Sequence, residues 1–318
     1  MSLPEPEVEM VPSGDLFEKC RSYQHWFDDK ISQIGFYPYF AAIQQIRGTT
    51  AVIDGRDFLM IGSNNYLGLS WEPRVRDAAI AAVKRYGTSC SGSRYLNGTL
   101  TLHEELEEDL ADFVDKESAL CFTTGYQTNL ASISALLGKG DHVFSDRLNH
   151  ASVMDGIFHA SGARLGSIEV HRYAHNSPDD LDRALSSAPA DAGKLVVTDG
   201  VFSMEGDIVR LDEIARVAQR HRARIYLDEA HAIGVIGATG RGTEEHFGQQ
   251  LADLTMCTFS KSFGSIGGFV AGDTDIINYI KHHGRAMIFS ASMPPANIAA
   301  ASAALKIMRE EPERVLRL

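Results

Sequence analysis

Several features that would assign this chain to other classes of protein are absent or scarce. Only four cysteines occur among 318 residues, and they form no CxxC pair, which argues against a disulfide framework or a thiolate zinc site. The twelve histidines show no spacing typical of zinc ligands, so we expect no metal. No apolar run approaches the roughly 20 residues that are needed to span a bilayer. The sequence therefore predicts neither a metalloprotein nor a transmembrane segment.

Basic side chains are also fewer than acidic ones. Lys and Arg number 30 against 42 Asp and Glu, and the net charge of −12 argues against a surface that binds nucleic-acid phosphates. The sequence Asp-Glu-Ala-His at Asp228–His231 matches a motif of helicases. A nucleotide-driven helicase also needs a GxxxxGK[ST] loop, which this sequence lacks. The acidic, proline-containing N-terminus lacks the apolar core of a secretory signal. We therefore expect a cytoplasmic protein without a nucleic-acid partner.

What the sequence does contain is an ordinary globular composition, 44% apolar and 23% charged. Short apolar segments alternate with helical ones, and strands are predicted at Ala119–Phe122, His142–Ser145, Leu165–Val170, Lys194–Thr198, Arg224–Asp228, Leu254–Phe259 and Gly267–Ala271. Helices are predicted between several of them, at Tyr126–Leu137, Pro178–Leu185 and Leu211–His221. This alternation indicates an α/β fold with a mostly parallel central sheet and helices on both faces.

Three regions are expected along the chain. Residues 1–45 form an N-terminal tail and a helix that runs from Leu16 to about Ile34. Residues 46–295 form one large domain. Residues 296–318 begin a long helix, predicted at Ala296–Arg309, that would connect to a further element.

Two apolar strands end in side chains that suggest the chemistry. One delivers Asp228, with His231 three residues later, and the other delivers Lys261. A lysine at the mouth of a buried sheet is costly unless it is neutralised or used, and a desolvated amine that forms an imine with an aldehyde cofactor is a catalyst. A buried carboxylate keeps the pyridine nitrogen of pyridoxal 5′-phosphate (PLP) protonated. We therefore predict a PLP enzyme in which Lys261 carries the cofactor as a Schiff base and Asp228 binds the ring nitrogen.

Other polar residues near predicted strand ends complete this hypothesis. Gly125 and Tyr126 begin a helix whose backbone N–H groups suit the cofactor phosphate, and Thr258 and Ser260 add hydroxyl donors. His150 could stack on the ring and move protons.

The phenolic oxygen of the ring is assigned to His231 together with Ser203. Taken singly, each of these residues has a structural explanation: a lysine after a strand is usually solvated, and Asp228 could simply cap a helix. The order of the set and its position at strand ends favour the PLP hypothesis, which requires Lys261 and Asp228 to flank one ring.

The motifs that carry these residues resemble the α-oxoamine synthase family of fold-type-I PLP enzymes. The segments concerned are Asn64–Leu69, Gly92–Thr99, Asn149–Ser152, Asp228–His231 and Thr258–Gly264. The resemblance implies a homodimer with a shared active site, in which Ser290 and Ala291 reach the phosphate of the neighbouring subunit. It also implies that Asn65 and Ser93 lie near the substrates.

The resemblance further implies the activity. Members of the family condense an amino acid with an acyl thioester, release CO2 and form an α-amino ketone. Gly92–Thr99 and Tyr173–Ser177 are most similar to the serine palmitoyltransferase-like members, so L-serine is the expected amino acid, with an acyl-CoA or acyl-carrier-protein thioester as its partner.

Three alternatives stay open at this point: an oxoamine synthase that uses glycine or alanine, another fold-type-I enzyme such as an aminotransferase, and a non-catalytic partner subunit. Family members continue into a small C-terminal domain whose arginine binds the amino-acid carboxylate. We expect this domain to be largely absent from the 318 residues.

Overall fold

The computed structural model describes residues 15–37, 39–163 and 168–318. The chain divides into two compact units, with the boundary between Ile61 and Gly62. Among the described residues, no helix is both long and apolar enough to cross a membrane.

The first unit contains a helix and a small antiparallel sheet. Helix α1 (Glu18–Ile34) corresponds to the predicted N-terminal helix and ends at Gly35 with a left-handed φ of 81°. Strands β1 (Ile43–Arg47), β2 (Thr50–Ile53) and β3 (Arg56–Leu59) lie in the order β1-β2-β3. Asp54 and Gly55 both have positive φ, which is the geometry of a tight hairpin turn.

The second unit is built on a seven-stranded sheet. Its strands are β4 (Ser118–Phe122), β5 (His142–Asp146), β6 (Glu169–Tyr173), β7 (Lys194–Asp199), β8 (Arg224–Asp228), β9 (Leu254–Thr258) and β10 (Gly268–Gly272). They lie in the order β4-β10-β9-β8-β7-β5-β6. The neighbours from β9 to β6 are parallel, whereas β10 is antiparallel to both β4 and β9. The prediction of a mostly parallel central sheet is confirmed.

Helices precede or connect most of these strands. They are α2 (Pro73–Tyr86), α3 (Thr101–Phe113), α4 (Gly125–Leu136), α5 (Ala151–Ala163), α6 (Pro178–Ser186), α7 (Leu211–Arg220), α8 (Thr243–Phe247), α9 (Thr274–His283), α10 (Arg285–Ile288), α11 (Pro295–Glu310) and α12 (Glu313–Arg317). Helix α7 shows how they pack: its apolar residues recur every three or four positions, and Leu211, Ile214, Val217 and Ala218 are buried.

Both faces of the sheet are covered. Alternate residues of β4 enter different hydrophobic clusters: Cys121 packs with residues of α2, α3 and α11, whereas Leu120 and Phe122 pack with residues of α4, α5 and α9. Every residue of β5, β7, β9 and β10 is buried. Strands covered on both faces become polar only where they end, so the carboxyl ends of the parallel strands hold the functional groups.

One predicted strand is misplaced. The segment predicted at Leu165–Val170 corresponds to β6, which begins at Glu169, and residues 164–167 lie outside the described residues. The physical reason is that β6 is an edge strand in which Glu169, Val170 and Arg172 are exposed, so it has no continuous apolar run to mark it. The other predicted strands match to within one residue at each end.

Candidate active site

A cavity of about 350 Å³ lies at the carboxyl ends of β7, β8 and β9 and beside the start of α4. It is lined by Thr124, Gly125, Tyr126, Asn129, His150, Ser152, Asp199, Val201, Asp228, Ala230, His231, Met256, Thr258, Ser260, Lys261, Ile266 and Gly267. Eight of the residues predicted for the site are in this set: Gly125, Tyr126, His150, Asp228, His231, Thr258, Ser260 and Lys261.

Lys261 lies three residues beyond the end of β9 and is partly buried. Burial lowers the pKa of its amine from the ordinary value, although the negative charge of Asp228 opposes this shift. Both side chains line the same cavity, as the hypothesis of a single ring between them requires.

The carboxylate of Asp228 is held by two hydrogen bonds at the end of β8. Its Oδ2 accepts from Asn129 Nδ2 at 2.8 Å, and its Oδ1 accepts from the backbone N–H of Ala230 at 3.0 Å. Asn129 is itself oriented because its Oδ1 accepts from the Tyr226 hydroxyl at 2.9 Å. These two donors hold the buried carboxyl group of Asp228 in a fixed position facing the cavity.

A second carboxyl group, Asp199, ends the neighbouring strand β7 in register with Asp228. It is buried, and its Oδ1 has no hydrogen-bond partner among the described residues. Burial raises the pKa of Asp199 well above its ordinary value, and the charge of Asp228 adds to this effect. A second negative charge beside Asp228 is therefore disfavoured at Asp199.

His150 stands at the start of α5, in contact with a polar network. Its Nδ1 lies 2.7 Å from the Ser152 hydroxyl, and Asn129 Nδ2 donates to the same hydroxyl at 2.9 Å. The network thus links His150 to the residue that holds Asp228. It fixes the orientation of a histidine that lines the cavity.

The start of α4 provides a place for an anion. A Cβ added at Gly125 would lie 2.7 Å from Cβ and Oγ1 of Thr258, so only glycine allows this close approach. Thr124 caps the helix by accepting from the N–H of Gln127 at 3.1 Å. The hydroxyls of Thr258 and Ser260 lie 2.9 Å apart beside the helix start. Backbone N–H groups and hydroxyls together suit a phosphate.

His231 completes the cavity. Its Nδ1 lies 2.7 Å from the hydroxyl of Tyr66. Burial, followed by the positive charge of Lys261, lowers the pKa of His231 to about 4. The ring is therefore a neutral imidazole at ordinary pH.

The remaining predicted residues are not part of the cavity lining. Ser203 is exposed in the turn after β7, and Ser93 lies in a turn in which its carbonyl accepts from the N–H of Gly98. Asn65 is bonded to Ser70, with its Nδ2 donating at 2.8 Å to the Ser70 hydroxyl. The structure thus places these three apart from the residues that meet in the cavity.

Ser290 and Ala291 lie beside the start of α4. Gln127 Nε2 donates to the Ser290 hydroxyl at 3.0 Å, and the Thr123 hydroxyl donates to the carbonyl of Ala291 at 2.6 Å. The segment is therefore next to the proposed anion site but does not line the cavity.

Four polar residues at or beside the cavity were given no role by the sequence analysis: Asn129, Ser152, Asp199 and Tyr66. Asp199 carried a usable signal, because it ends a buried strand in the same way as Asp228. Asn129 lies one turn after Gly125 on the buried side of α4. Tyr66 lies within a quoted motif, but nothing in its neighbourhood reveals a partner 165 residues away.

The donor set fits PLP. An amine of lowered pKa, a buried carboxylate and a glycine-lined helix start correspond to the aldehyde, the pyridine nitrogen and the phosphate of this cofactor. Among the described residues, no group of three or more His, Cys, Asp or Glu side chains could hold a metal ion. Fold and site together define the class of fold-type-I PLP-dependent transferases.

Comparison with known proteins narrows this class to a family. The model of the family described as aminotransferase class I and II matches residues 56–318. A serine palmitoyltransferase of Sphingobacterium spiritivorum is 49% identical over 96% of this chain and 75% of its own length. An 8-amino-7-oxononanoate synthase of Symbiobacterium thermophilum is 41% identical over 91% of this chain and 72% of its own length.

A solved structure agrees with these relatives. Serine palmitoyltransferase from S. paucimobilis with bound PLP and myriocin superposes with a TM-score of 0.89 at 38% identity, covering 95% of this chain and 78% of the other. The chain belongs to the α-oxoamine synthases, PLP-dependent acyltransferases that carry out a decarboxylative condensation.

Proposed function

We propose that the protein condenses L-serine with an acyl thioester to give an α-amino ketone, CO2 and free thiol. Two relatives that are 49% and 46% identical to this chain are named serine palmitoyltransferases, which supports serine as the amino acid. The observation that carries the proposal is the cavity in which Lys261 and Asp228 meet beside a glycine-lined helix start.

When bound, PLP supplies an electron sink for the negative charge that develops at the serine Cα. The part of Asp228 is to hold the positive charge of the ring, because its two hydrogen bonds fix the carboxyl group in a buried position at the cavity. The part of Gly125, Tyr126, Thr258 and Ser260 is to hold the phosphate and so to fix the position of the ring.

Lys261 has two parts in the proposal. Its Nζ would hold the cofactor, and the same amine would accept the proton that leaves the serine Cα. Burial lowers the pKa of this amine, which increases its neutral fraction and suits it to act as a base. His150, fixed by Ser152, would cover one face of the ring, and His231 would bind the phenolic oxygen. Ser203 is proposed to assist His231, although it does not line the cavity.

We further propose that the enzyme acts as a homodimer in the cytoplasm. Ser290 and Ala291 lie beside the start of α4 in their own chain, and their proposed approach to the phosphate of the partner rests on the resemblance to the family. Asn65 and Ser93 are proposed to contact substrate that enters between the subunits. The four cysteines are free, which suits a reducing compartment.

The test measures all products in one reaction. The protein is loaded with PLP and mixed with L-serine and palmitoyl-CoA, and free thiol and CO2 are counted. We expect them to be released in about equal amounts, with glycine and alanine giving at least tenfold less product than serine.

The Lys261→Ala variant is the control and should release neither product. Conversion of the cofactor to pyridoxamine 5′-phosphate without thiol release would support an aminotransferase instead. Equal rates with glycine or alanine would remove serine as the specific substrate.

A further inference from the structure

One hydrogen bond connects the cavity to a residue that does not line it. The hydroxyl of Tyr66 lies 2.7 Å from Nδ1 of His231, and the contact is partly buried. The two rings are 6.2 Å apart and tilted by 57°, so they do not stack, and the short contact joins the hydroxyl to the ring nitrogen. Tyr66 therefore contacts a single atom, Nδ1, of a histidine that lines the cavity.

The protonation of the two partners limits the possible arrangements. Burial, followed by the charge of Lys261, lowers the pKa of His231 to about 4, so the ring is neutral and only one nitrogen carries a proton. Burial raises the pKa of Tyr66, so its hydroxyl keeps its proton. Either Tyr66 donates to a bare Nδ1, or a protonated Nδ1 donates to Tyr66.

The surroundings of Tyr66 decide between these two arrangements. If Nδ1 carried the proton, the hydroxyl of Tyr66 would need another acceptor for its own. Among the described residues that acceptor is Oδ1 of Asn64 at 3.4 Å, which is beyond the ordinary 2.5–3.0 Å of an O–H···O hydrogen bond. The contact of 2.7 Å with Nδ1 is of normal length, which favours the arrangement in which Tyr66 donates and the histidine proton resides on Nε2.

We propose that Tyr66 is a positioning residue that fixes His231 in the tautomer protonated on Nε2, so that His231 presents a hydrogen-bond donor to the ligand in the cavity. No described residue forms a hydrogen bond with Nε2, which leaves this donor available. The identity of the acceptor rests on the proposed function, in which it is the phenolic oxygen of PLP. A bare nitrogen at this point would repel that electron-rich oxygen, so the tautomer matters for cofactor binding.

The first experiment measures the tautomer without any cofactor. Nitrogen-15 NMR of the PLP-free protein reports which ring nitrogen carries the proton, and the signals of His231 are those lost in His231→Gln. We expect Nε2 to be protonated in the wild type and a mixture of both tautomers in Tyr66→Phe. A proton on Nδ1 in the wild type, or no change in Tyr66→Phe, would overturn the proposal.

The second experiment tests whether Tyr66 works through His231. Loss of the positioning hydrogen bond in Tyr66→Phe should weaken PLP binding about three- to tenfold in equilibrium dialysis. In the His231→Ala background the partner of Tyr66 is absent, so the same substitution should cause no further loss.

Tyr86→Phe is the matched control, because the hydroxyl of Tyr86 makes only a 3.4 Å contact with Thr101, and it should bind PLP like the wild type. An equal loss from Tyr66→Phe in both backgrounds would mean that Tyr66 acts by another route. If the condensation itself were absent, the NMR result would still stand, so the failure of one proposal is distinguishable from that of the other.

Discussion

The carboxylate of Asp228 allows a sharp prediction at the scale of single residues. Asp228→Asn keeps the shape of the side chain but removes the charge that would stabilise a protonated ring. We expect PLP to remain bound, while exchange of the serine α-hydrogen with D2O, followed by proton NMR, slows by at least about 100-fold. Leaving out the thioester restricts the measurement to proton removal.

The matched control for this substitution is Asp253→Asn. Asp253 makes the same kind of contact at the opposite end of the sheet, where it accepts from the backbone N–H of Ile225 at 2.8 Å. This variant should exchange the α-hydrogen at the wild-type rate. Unchanged exchange in Asp228→Asn would remove Asp228 from its proposed role.

Single residues also show what sequence reasoning could reach. Lys261, Asp228, His150 and His231 were all proposed from their position after apolar strands, and all line the cavity. Asn129 was missed because its importance lies in a partner 99 residues away. A residue's position at the end of a strand can be predicted from the residues next to it. Its hydrogen-bond partners in a distant segment depend on the fold and cannot be predicted in this way.

At the scale of elements, the loop that carries His231 is closed by a buried carboxyl group. Glu229 accepts from the backbone N–H of Thr243 at 2.8 Å and from its hydroxyl at 2.7 Å. The backbone is packed so tightly there that a Cβ at Gly200 would lie 2.5 Å from Oε2 of Glu229. Glu229 therefore joins the end of β8 to the start of α8 and fixes residues 230–242 between them.

This contact should make stability depend on pH. Burial raises the pKa of Glu229 to about 8 from the ordinary 4.5, so the folded state binds its proton more tightly than the unfolded state. The stabilisation is fully present below pH 4.5 and is lost as the pH rises through 8. His231 and His103, with pKa values lowered to about 4 and about 3, act in the opposite sense only up to pH 6.5.

The clearest window is therefore pH 6.5 to 8, where the free energy of unfolding should fall by about 1–2 kcal/mol in urea titrations. Glu229→Gln can keep both hydrogen bonds to Thr243 and should show a clearly smaller fall. Asp199 and His175, whose pKa values are raised, and Lys261, whose pKa is lowered, contribute in both proteins, so the difference between the two reports on Glu229. The control variant Glu205→Gln, which removes an exposed carboxyl group, should leave the pH dependence of the free energy of unfolding unchanged. If the free energy of unfolding fell equally with pH in Glu229→Gln and in the wild type, the carboxyl group of Glu229 would not be the source of the pH dependence.

The strands differed in how accurately they could be predicted from the sequence. Strands buried on both faces, such as β8, were predicted to the residue because a continuous apolar run marks them. The position predicted for the edge strand β6 was wrong because this strand has no continuous apolar run. The antiparallel direction of β10 was not foreseen either, since the apolar pattern of a buried strand is the same in both directions.

At the scale of the whole molecule, topology explains why distant residues meet. Parallel strands joined by helices all end at the same edge of the sheet, so Asp199, Asp228 and Lys261 converge although 62 residues separate the first from the last. The alternation of strands and helices was visible in the sequence, and the class of fold followed from it. Assembly of two chains has no comparable periodic signal, because an interface is one patch of surface without a repeat.

The shared active site is the prediction that belongs to this scale. Ala291 is exposed, and Ala291→Asp would bring a negative charge toward the phosphate of the partner if the segment crosses between subunits. Alone, this variant and Lys261→Ala should each be inactive. A heterodimer of the two, isolated with two different affinity tags, contains one site with both defects and one with neither, and it should regain about half of the wild-type activity.

Circular dichroism and gel filtration would first show that each variant is folded and dimeric, so that inactivity reports on the site. If each site were built from one chain only, both sites of the heterodimer would carry one defect and no activity would return. Full activity of Ala291→Asp by itself would equally contradict the shared site, since the charge would then lie too far from the phosphate to repel it. Recovery to about half depends on the two defects entering the same site from different chains, an outcome that no arrangement within one subunit produces.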